Sequence, residues 1–187
     1  MGDIQNTAFL VEPSVVYRDS FLEAVREFQC EGAFVAMREL EKDDWRQDRL
    51  AADFASYVQH VLRMANRATQ RPDLVPETRL WLVDGNQFVG ALSIRHELND
   101  HLLRRGGHIA YAIRPSKRLK GYGSLVLRLG LESVKDLGLA TVLLICDSEN
   151  VGSRKIIEAN GGVLENEVEV DVGGQVECIR RYWIKLR

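Results

Sequence analysis

The spacing of apolar residues predicts a strand and two helices in the first third of the chain. The short apolar run Ala8–Val11, closed by Pro13, is typical of a strand. From Ser14, apolar residues recur every three or four positions and predict a helix that Gly32 ends. A second helix is predicted over about residues 43–68. Its apolar stripe consists of Leu50, Phe54, Tyr57, Val58, Val61, Leu62 and Ala65.

The pattern changes to strands in the middle of the chain. Apolar residues alternate or run together over Leu80–Ile94, on both sides of the turn Asp84-Gly85-Asn86, and this predicts a β-hairpin. Residues 98–107 form a polar connection. The segment His108–Arg114 then predicts another strand, which Pro115 ends because proline cannot donate a ladder hydrogen bond.

The last third predicts an alternation of helix and strand. Gly121–Leu137 has the widest apolar face in the chain and predicts a helix, whereas the continuous apolar run Thr141–Cys146 is typical of a strand buried on both faces. A helix over Asn150–Asn160 and a hairpin over residues 163–186 complete the order. These elements predict a mixed α/β fold with one sheet, mostly antiparallel and flanked by helices, in a single domain over residues 1–187.

Composition supports one globular domain and excludes several classes of protein. Of the 187 residues, 45% are hydrophobic and 28% are charged, which argues against a disordered, collagen-like or coiled-coil chain. The 25 basic and 27 acidic side chains give a net charge of −2. The chain as a whole therefore has no attraction for nucleic acid or for an anionic membrane.

The cysteines and the N-terminal residues give an indication of the cellular compartment. Cys30, Cys146 and Cys178 are odd in number, widely spaced and without a CxxC motif, which is typical of reduced thiols. Residues 1–12 lack the features of a signal peptide, and no apolar run approaches the roughly 20 residues of a membrane span. We therefore expect a cytoplasmic protein that does not bind a membrane.

The candidate chemistry lies in a loop between a strand and a helix. Residues 111–124 read Tyr-Ala-Ile-Arg-Pro-Ser-Lys-Arg-Leu-Lys-Gly-Tyr-Gly-Ser. Such a loop directs several backbone N–H groups at one point, at the positive end of the helix dipole, and so predicts an anion site. Gly121 and Gly123 allow the backbone to approach a phosphate closely. The alternative is a solvated basic turn, since short glycine motifs are common.

Charge along the chain supports the anion site. Residues 104–131 contain seven basic side chains and no acidic one: Arg104, Arg105, Arg114, Lys117, Arg118, Lys120 and Arg128. The sequence therefore predicts a local cationic socket for a polyanion. The loop is not a P-loop, because GxxxxGK[ST] is absent, and the dinucleotide spacing GxGxxG is absent as well.

These residues resemble the GNAT superfamily of N-acetyltransferases. The segment Arg118–Gly123 matches the family loop R/Q-x-x-G-x-G/A, and Ile113 stands five residues before it, where the family has an apolar residue. Asn150 and Ser153 match the later N-x-x-[AS] motif. The resemblance covers about residues 78–187 and extends to residues 8–77. It includes uncharacterised bacterial predicted acetyltransferases that carry the stretch Gly-Gly-His-Ile-x-Tyr-x-Ile-Arg-Pro-Ser.

The resemblance implies both a fold and a reaction. It implies a GNAT-like sheet splayed at its central strands, with residues 1–77 on the acceptor side and residues 78–187 as the acyl coenzyme A-binding core. It implies acetyl coenzyme A as co-substrate and a primary amine of a small molecule or a peptide as acceptor, attacking directly in a ternary complex. No metal, nucleic acid or membrane is implied, and a homodimer is possible.

The resemblance also implies which residues bind the coenzyme. Backbone amides from about Arg118 to Ser124 hold the pyrophosphate, and backbone groups near Ile113 pair with the pantetheine arm. Lys117, Lys120 or Arg128 is expected to reach the 3′-phosphate. The complete predicted set is Ala112, Ile113, Arg118, Leu119, Lys120, Gly121, Tyr122, Gly123, Ser124, Asn150 and Ser153.

The catalytic residues are where the sequence departs from the family pattern. Ile157 occupies the position at which many members have a tyrosine that protonates the leaving thiolate. Tyr111 is the substitute candidate, because it shares the strand face of Ile113, and its alternative is a core tyrosine. His96 and His108 are candidates for the general base, since imidazole titrates near working pH. Their alternatives are a structural role and a water relay.

Two other functions remain open from the sequence. One is a non-catalytic acyl coenzyme A-binding or sensing module on the same fold, which the missing tyrosine favours. The other is a nucleotide-binding protein that uses the same anion loop, which the absent phosphate-binding spacings disfavour.

Overall fold

A computed structural model describes residues 7–31, 45, 47–69 and 74–186. The strands are β1 Ala8–Val11, β2 Glu77–Asp84, β3 Gln87–Arg95, β4 Ile109–Ile113, β5 Thr141–Asp147, β6 Val163–Val172 and β7 Gln175–Lys185. The helices are α1 Arg18–Cys30, α2 Gln47–Ala52, α3 Phe54–Arg63, α4 Asp100–Arg104, α5 Tyr122–Val134 and α6 Val151–Ala159. None of these helices has both the length and the apolar composition to cross a membrane.

The strands form two antiparallel sheets rather than the one continuous sheet that we predicted. The first sheet has the order β1-β2-β3-β4 and the second the order β5-β7-β6. They meet where His108 N–H donates to Leu143 O at 2.7 Å and Leu143 N–H donates to His108 Nδ1 at 2.9 Å. Within residues 74–186, no backbone pairing joins β4 to β5 beyond this junction. The two strands therefore splay apart toward Ile113, and the expected mixed α/β fold with a splayed centre is confirmed.

Each face of the first sheet packs against its own set of helices. On one face, Phe21 of α1 stacks on Trp81 with ring centroids 4.6 Å apart, and α3 completes this core. On the other face, α5 packs on Leu92 so closely that a Cβ at Gly130 would lie 2.5 Å from a Leu92 methyl group. The α5 core continues across the gap to β5 and β7, so that the helix bridges both sheets.

Two predicted boundaries are corrected by local hydrogen bonds. The helix expected over residues 43–68 is interrupted at Asp53, whose carboxylate accepts from Ser56 N–H at 3.2 Å and caps the start of α3. Gly32 and residues 43, 44 and 46 lie outside the described part of the chain. The connection over residues 98–107 contains the short helix α4, capped by Asn99. The predicted hairpins and the buried strand β5 are confirmed.

Candidate active site

A cleft of about 390 Å³ opens where β4 and β5 separate. It lies between β4, the loop that follows it, and the first turns of α5 and α6. Its walls are formed by Tyr111, Ala112, Ile113, Arg118, Leu119, Gly123, Asn150, Gly152, Ser153 and Ile156. Eight of these are residues that the sequence predicted for coenzyme binding or catalysis. The structure thus brings together two motifs that are about 30 residues apart in the chain.

The backbone of the loop forms a concave surface at the mouth of the cleft. Leu119 has a φ of +58° and Gly121 a φ of +87°, so the chain turns through left-handed conformations on both sides of Lys120. Alternation of this kind makes neighbouring N–H groups converge, and such nests bind anions. Gly121 is also the N-cap of α5 and provides no side-chain cap, so the N–H groups of the first helical turn have no partner within the helix.

Gly123 has a different role from Gly121. A Cβ at Gly123 would lie 2.5 Å from Ile156 Cδ1, whereas a Cβ at Gly121 would meet open space. Gly123 is therefore required for the close approach of α5 and α6, which sets the width of the cleft. Gly121 is required for its positive φ, because residues with a Cβ disfavour that conformation.

Two other predicted residues of the loop point their side chains away from the cleft. The Tyr122 hydroxyl donates to Asp84 Oδ2 at 2.5 Å, and burial together with this carboxylate raises the pKa of Tyr122 to about 12. Ser124 Oγ accepts from Asn160 Nδ2 at 3.2 Å. These contacts fix α5 to β2 and to the end of α6, so any contribution of the two residues to the cleft comes from their backbone.

Three of the seven basic side chains in the predicted cationic socket pair with acids from distant elements. Arg114 forms ion pairs with two glutamates of α1, Arg118 pairs with Glu31 at the C-cap of α1, and Arg105 pairs with a glutamate of β7. Arg128 lies 3.9 Å from a glutamate of its own helix and lines a separate groove of about 620 Å³. Counting charge along the sequence missed the partners of Arg105, Arg114 and Arg118, because they come from segments that the fold alone brings near.

Two lysines of the loop have uncharged partners. Lys117 Nζ donates to Gln87 Oε1 at 2.5 Å, and Lys120 Nζ donates to Ser116 O at 2.9 Å. Because neither hydrogen-bond partner is anionic, these two ammonium groups are well placed for a phosphate near the nest. The Asp84 carboxylate also interacts electrostatically with Lys117.

Tyr111 lies on the wall of the cleft. Its hydroxyl donates to Ser153 O at 3.5 Å, which is long for a hydrogen bond. Burial is the main reason that the pKa of Tyr111 rises to about 12, and Cys146 on the neighbouring strand adds to the effect. The hydroxyl is therefore protonated at neutral pH and only weakly held by its present partner.

Ile157, at the position of the usual tyrosine, belongs to the core. It is buried, and a Cβ at Gly162 would lie 2.4 Å from Ile157 Cγ2. The missing side chain at 162 thus makes room for the isoleucine.

His108 is a structural residue at the junction of the two sheets. Its Nδ1 accepts from Leu143 N–H, so the neutral ring carries its proton on Nε2. The ring is buried and faces Trp183 at 6.4 Å. Burial, assisted by the charge of Arg95, lowers the pKa of His108. The side chain lies at the closed end of the splay, so the geometry does not bring this candidate base to the cleft.

His96 is also distant from the cleft. Its Nε2 bonds to Thr78 Oγ1 at 2.8 Å. The sheet pairs Gly90 with Ile113, and His96 lies six residues farther along the chain, or roughly 20 Å at strand spacing. Within the described residues, no group of three or more His, Cys, Asp or Glu side chains could hold a metal ion.

The buried ring of His108 predicts a pH-dependent loss of stability. Its folded-state pKa lies below the ordinary value of 6.5, so the unfolded chain binds the proton more readily. Stability is therefore complete above about pH 6.5 and declines as the pH falls below it. His108→Asn, whose Oδ1 can accept from Leu143 without titrating, is the control.

Urea unfolding at pH 7.5 and pH 5 measures this effect. We expect the free energy of unfolding of the wild type to fall by about 1 kcal/mol more than that of His108→Asn. Equal losses in the two proteins would show that protonation of His108 does not affect the junction.

The chain matches a known family and is similar to several solved structures. The model of the family described as the acetyltransferase (GNAT) domain matches residues 25–163, which is more than half of the chain. No curated protein matches the sequence. Among solved structures, the chain is similar to RimL, the ribosomal L7/L12 alpha-N-protein acetyltransferase, in complex with coenzyme A. The TM-score is 0.68 at 14% identity, over 97% of this chain and 95% of that one.

Two further structures share the fold. Mycobacterium smegmatis RimJ has a TM-score of 0.68 at 16% identity, over 97% of this chain and 83% of that one. The microcin C7 self immunity acetyltransferase MccE, in complex with acetyl-CoA and AMP, has a TM-score of 0.66 at 14% identity, over 96% of this chain and 93% of that one. Identities this low show the fold, whereas the family match shows membership. The chain belongs to the GNAT acetyltransferase family and is an enzyme that acetylates amines with acetyl coenzyme A.

Proposed function

We propose that the protein binds acetyl coenzyme A in the cleft beside β4 and transfers the acetyl group to a primary amine by direct attack in a ternary complex. The observation that carries this proposal is the cleft itself, which joins an open strand edge to an anion-binding nest. A molecule with a polar extended arm and a phosphate group at one end matches that combination.

The open edge of β4 suits the pantetheine arm. Arg114 N–H donates to Val89 O on β3, so the alternation of an antiparallel strand directs the backbone groups of Tyr111 and Ile113 toward the gap. We propose that the arm pairs with the Tyr111 backbone and the Ile113 N–H as an added strand would, since Ile113 O already accepts from Arg118 Nε at 3.1 Å. A backbone N–H near Ile113 would then also be the donor for the oxyanion of the tetrahedral intermediate.

The phosphates occupy the nest in this proposal. The backbone of Arg118–Ser124 provides the converging N–H groups for the pyrophosphate, and Lys117 and Lys120 provide the charge. Asn150 and Ser153 approach the arm from α6, whose first turn is capped by the Asn150 side chain through Ser153 N–H at 2.9 Å.

Tyr111 stabilises the leaving sulfur in this mechanism. Its pKa of about 12 lies above the ordinary thiol value of about 8.5, so full transfer of its proton to the thiolate is unfavourable. We therefore propose that the hydroxyl donates a hydrogen bond to the departing sulfur. Because neither His96 nor His108 reaches the cleft, the proton of the substrate ammonium is lost to a water relay.

The acceptor is proposed to be a peptide α-amine, with a small-molecule amine as the alternative. One solved neighbour from Salmonella typhimurium is described as modifying the N-terminal serine of ribosomal protein L7/L12, and it has a TM-score of 0.66 at 14% identity. We propose a cytoplasmic enzyme of one domain, in which residues 1–77 form the acceptor side and residues 78–187 the coenzyme-binding core.

Calorimetry and a thiol-release assay test this function. Acetyl coenzyme A, coenzyme A and ATP are titrated into the protein, and free thiol is then measured with N-terminally varied peptides and small amines. We expect both coenzyme A species to bind, ATP to bind far more weakly, and a peptide amine to release thiol. Absence of coenzyme A binding would overturn the proposal. Binding without thiol release from any amine would favour the sensing module.

Tyr111→Phe is expected to lower turnover by about tenfold to a hundredfold, which corresponds to one lost hydrogen bond to a charged group. The affinity for acetyl coenzyme A should change less than about threefold, since the ring and its packing remain. Tyr182→Phe is the control, because that hydroxyl is also buried but donates to Glu158 at 3.1 Å, away from the cleft. Equal turnover in wild type and Tyr111→Phe would assign Tyr111 to the core.

A further inference from the structure

An acidic row on α1 contacts the segment that leads into the coenzyme loop. Glu23 and Glu27 are four residues apart on α1, and Glu31, its C-cap, follows four residues later, so the three lie on one side. Opposite them, Arg114 and Arg118 lie in the segment after β4 and are also four residues apart. We call these three glutamates the acidic row.

Glu27 makes the most contacts of the row. Its Oε1 accepts from Arg114 Nε at 2.7 Å and from Ser116 Oγ at 3.0 Å, and its Oε2 accepts from Ser116 N–H at 2.9 Å. Burial raises the pKa of Glu27, but the Ser116 N–H and Arg114 more than compensate and lower it overall. The carboxylate is therefore ionised at neutral pH, and it binds both the Arg114 side chain and the Ser116 backbone N–H.

Arg114 depends on this carboxylate. Its side chain is only 10% exposed, and its guanidinium also reaches Glu23 at 3.1 Å and Ser20 Oγ at 3.2 Å. Removing a partner from a buried charge leaves it uncompensated, which is much more costly than losing an exposed pair. The conformation of the segment after β4 is thus coupled to α1.

Glu31, at the other end of the acidic row, contacts Arg118. Glu31 pairs with its guanidinium at 2.8 Å, and Arg118 Nε donates to Ile113 O at 3.1 Å. Both partners of this ion pair are more than a third exposed, so the pair contributes little stability by itself. Together with the bond to Ile113 O, it holds the Arg118 side chain between Glu31 and the end of β4.

From these contacts we infer that Glu27 is a positioning residue for the coenzyme loop, which holds the nest in its binding conformation from the acceptor-side helix α1. This inference rests on the proposed function, because it concerns the same cleft. An anion-binding nest works only if its N–H groups converge before the ligand arrives, so an unanchored loop must be ordered on binding, at a cost in affinity.

Glu27→Gln tests the inference. The amide keeps the size of the side chain but loses the charge and one acceptor oxygen opposite Arg114 and Ser116. We expect the KM for acetyl coenzyme A and the Kd for coenzyme A to rise about tenfold or more. The kcat and the KM for the amine, at saturating acetyl coenzyme A, should stay within about twofold, because the reacting atoms are untouched.

Glu132→Gln is the matched control, since Glu132 forms an exposed pair on α5 outside this network. Ser116→Ala is the second variant, which removes one bond of Glu27 and should raise the same Kd about twofold to threefold. It keeps the inference testable if Glu27→Gln does not fold. Urea unfolding of every variant separates binding from stability.

The outcomes distinguish the two proposals. If the wild type fails to bind coenzyme A, the proposed function is wrong. If the wild type binds it and the Glu27 and Ser116 variants bind it equally well, the assignment of the cleft to coenzyme A is kept, and the positioning role of Glu27 is overturned. A lower free energy of unfolding with an unchanged Kd would also overturn the role, because it would make Glu27 a purely structural residue.

Discussion

Gly121→Glu is expected to abolish coenzyme A binding, weakening it by at least about a hundredfold. A Cβ at Gly121 meets open space, so a side chain fits, but the carboxylate would stand beside the nest and the first turn of α5. A unit charge about 4 Å from one phosphate charge costs about 4 kcal/mol at the dielectric of a protein surface, which exceeds the 2.7 kcal/mol of a hundredfold change. The positive φ of Gly121 adds backbone strain of about 1–2 kcal/mol.

Gly138→Glu is the matched control for this prediction. Gly138 also has a positive φ, of +71°, with open space at its Cβ, and it follows the far end of α5. The variant therefore introduces the same charge and the same strain about 25 Å away along the helix axis. Isothermal titration with coenzyme A measures both variants. Affinity within about threefold of the wild type for Gly121→Glu would contradict the assignment of the nest.

Gly107→Ala is expected to destabilise the fold by about 3 kcal/mol or more. Its Cβ would lie 2.4 Å from Leu143 O and 3.3 Å from Leu144 Cα, and these are backbone atoms that cannot rotate away. The φ of +68° adds strain. Gly107 directly precedes His108, so the methyl group would push β5 away from β4 at the junction of the two sheets.

Gly106→Ala is the control, because its Cβ would meet the flexible end of Leu102 at 2.8 Å, with no positive φ. We expect it to cost less than about 1 kcal/mol. Urea unfolding followed by circular dichroism gives both values. An unchanged unfolding midpoint for Gly107→Ala would show that the junction is not as tight as described.

The fold was predictable where the apolar period was long and uninterrupted. The apolar stripe of α5 can be buried only as one face of a helix, and the continuous apolar run of β5 only as a strand covered on both faces. Both elements could therefore be predicted from the sequence. The break at Asp53 could not be predicted, because the apolar stripe continues across it. Only the capping hydrogen bond between Ser56 N–H and the Asp53 carboxylate marks the start of a new helix. The division into two sheets could not be predicted either, since a sequence pattern indicates which face of a strand is buried but not which strand lies beside it.

The candidate site was predictable in its backbone and not in its charges. Gly121 was identifiable because a positive φ favours glycine, and the motif placed Asn150 in the same cleft. The partners of Arg114 were not identifiable, because Glu27 is 87 residues away in the chain. The position of the two histidines away from the cleft was not identifiable for a related reason, since proximity to a strand in sequence does not say which end of that strand a side chain occupies.

The packing of Ile157 against Gly162 has a consequence for how these two positions can vary. A tyrosine at 157 would have to fit a space that now holds a buried isoleucine, and any side chain at 162 would lie within 2.9 Å of the Ile157 carbonyl oxygen as well as its side chain. A side chain at 162 is therefore not accommodated while Ile157 keeps its present position. The two positions are coupled, and we expect any residue other than glycine at 162 to require a change at 157.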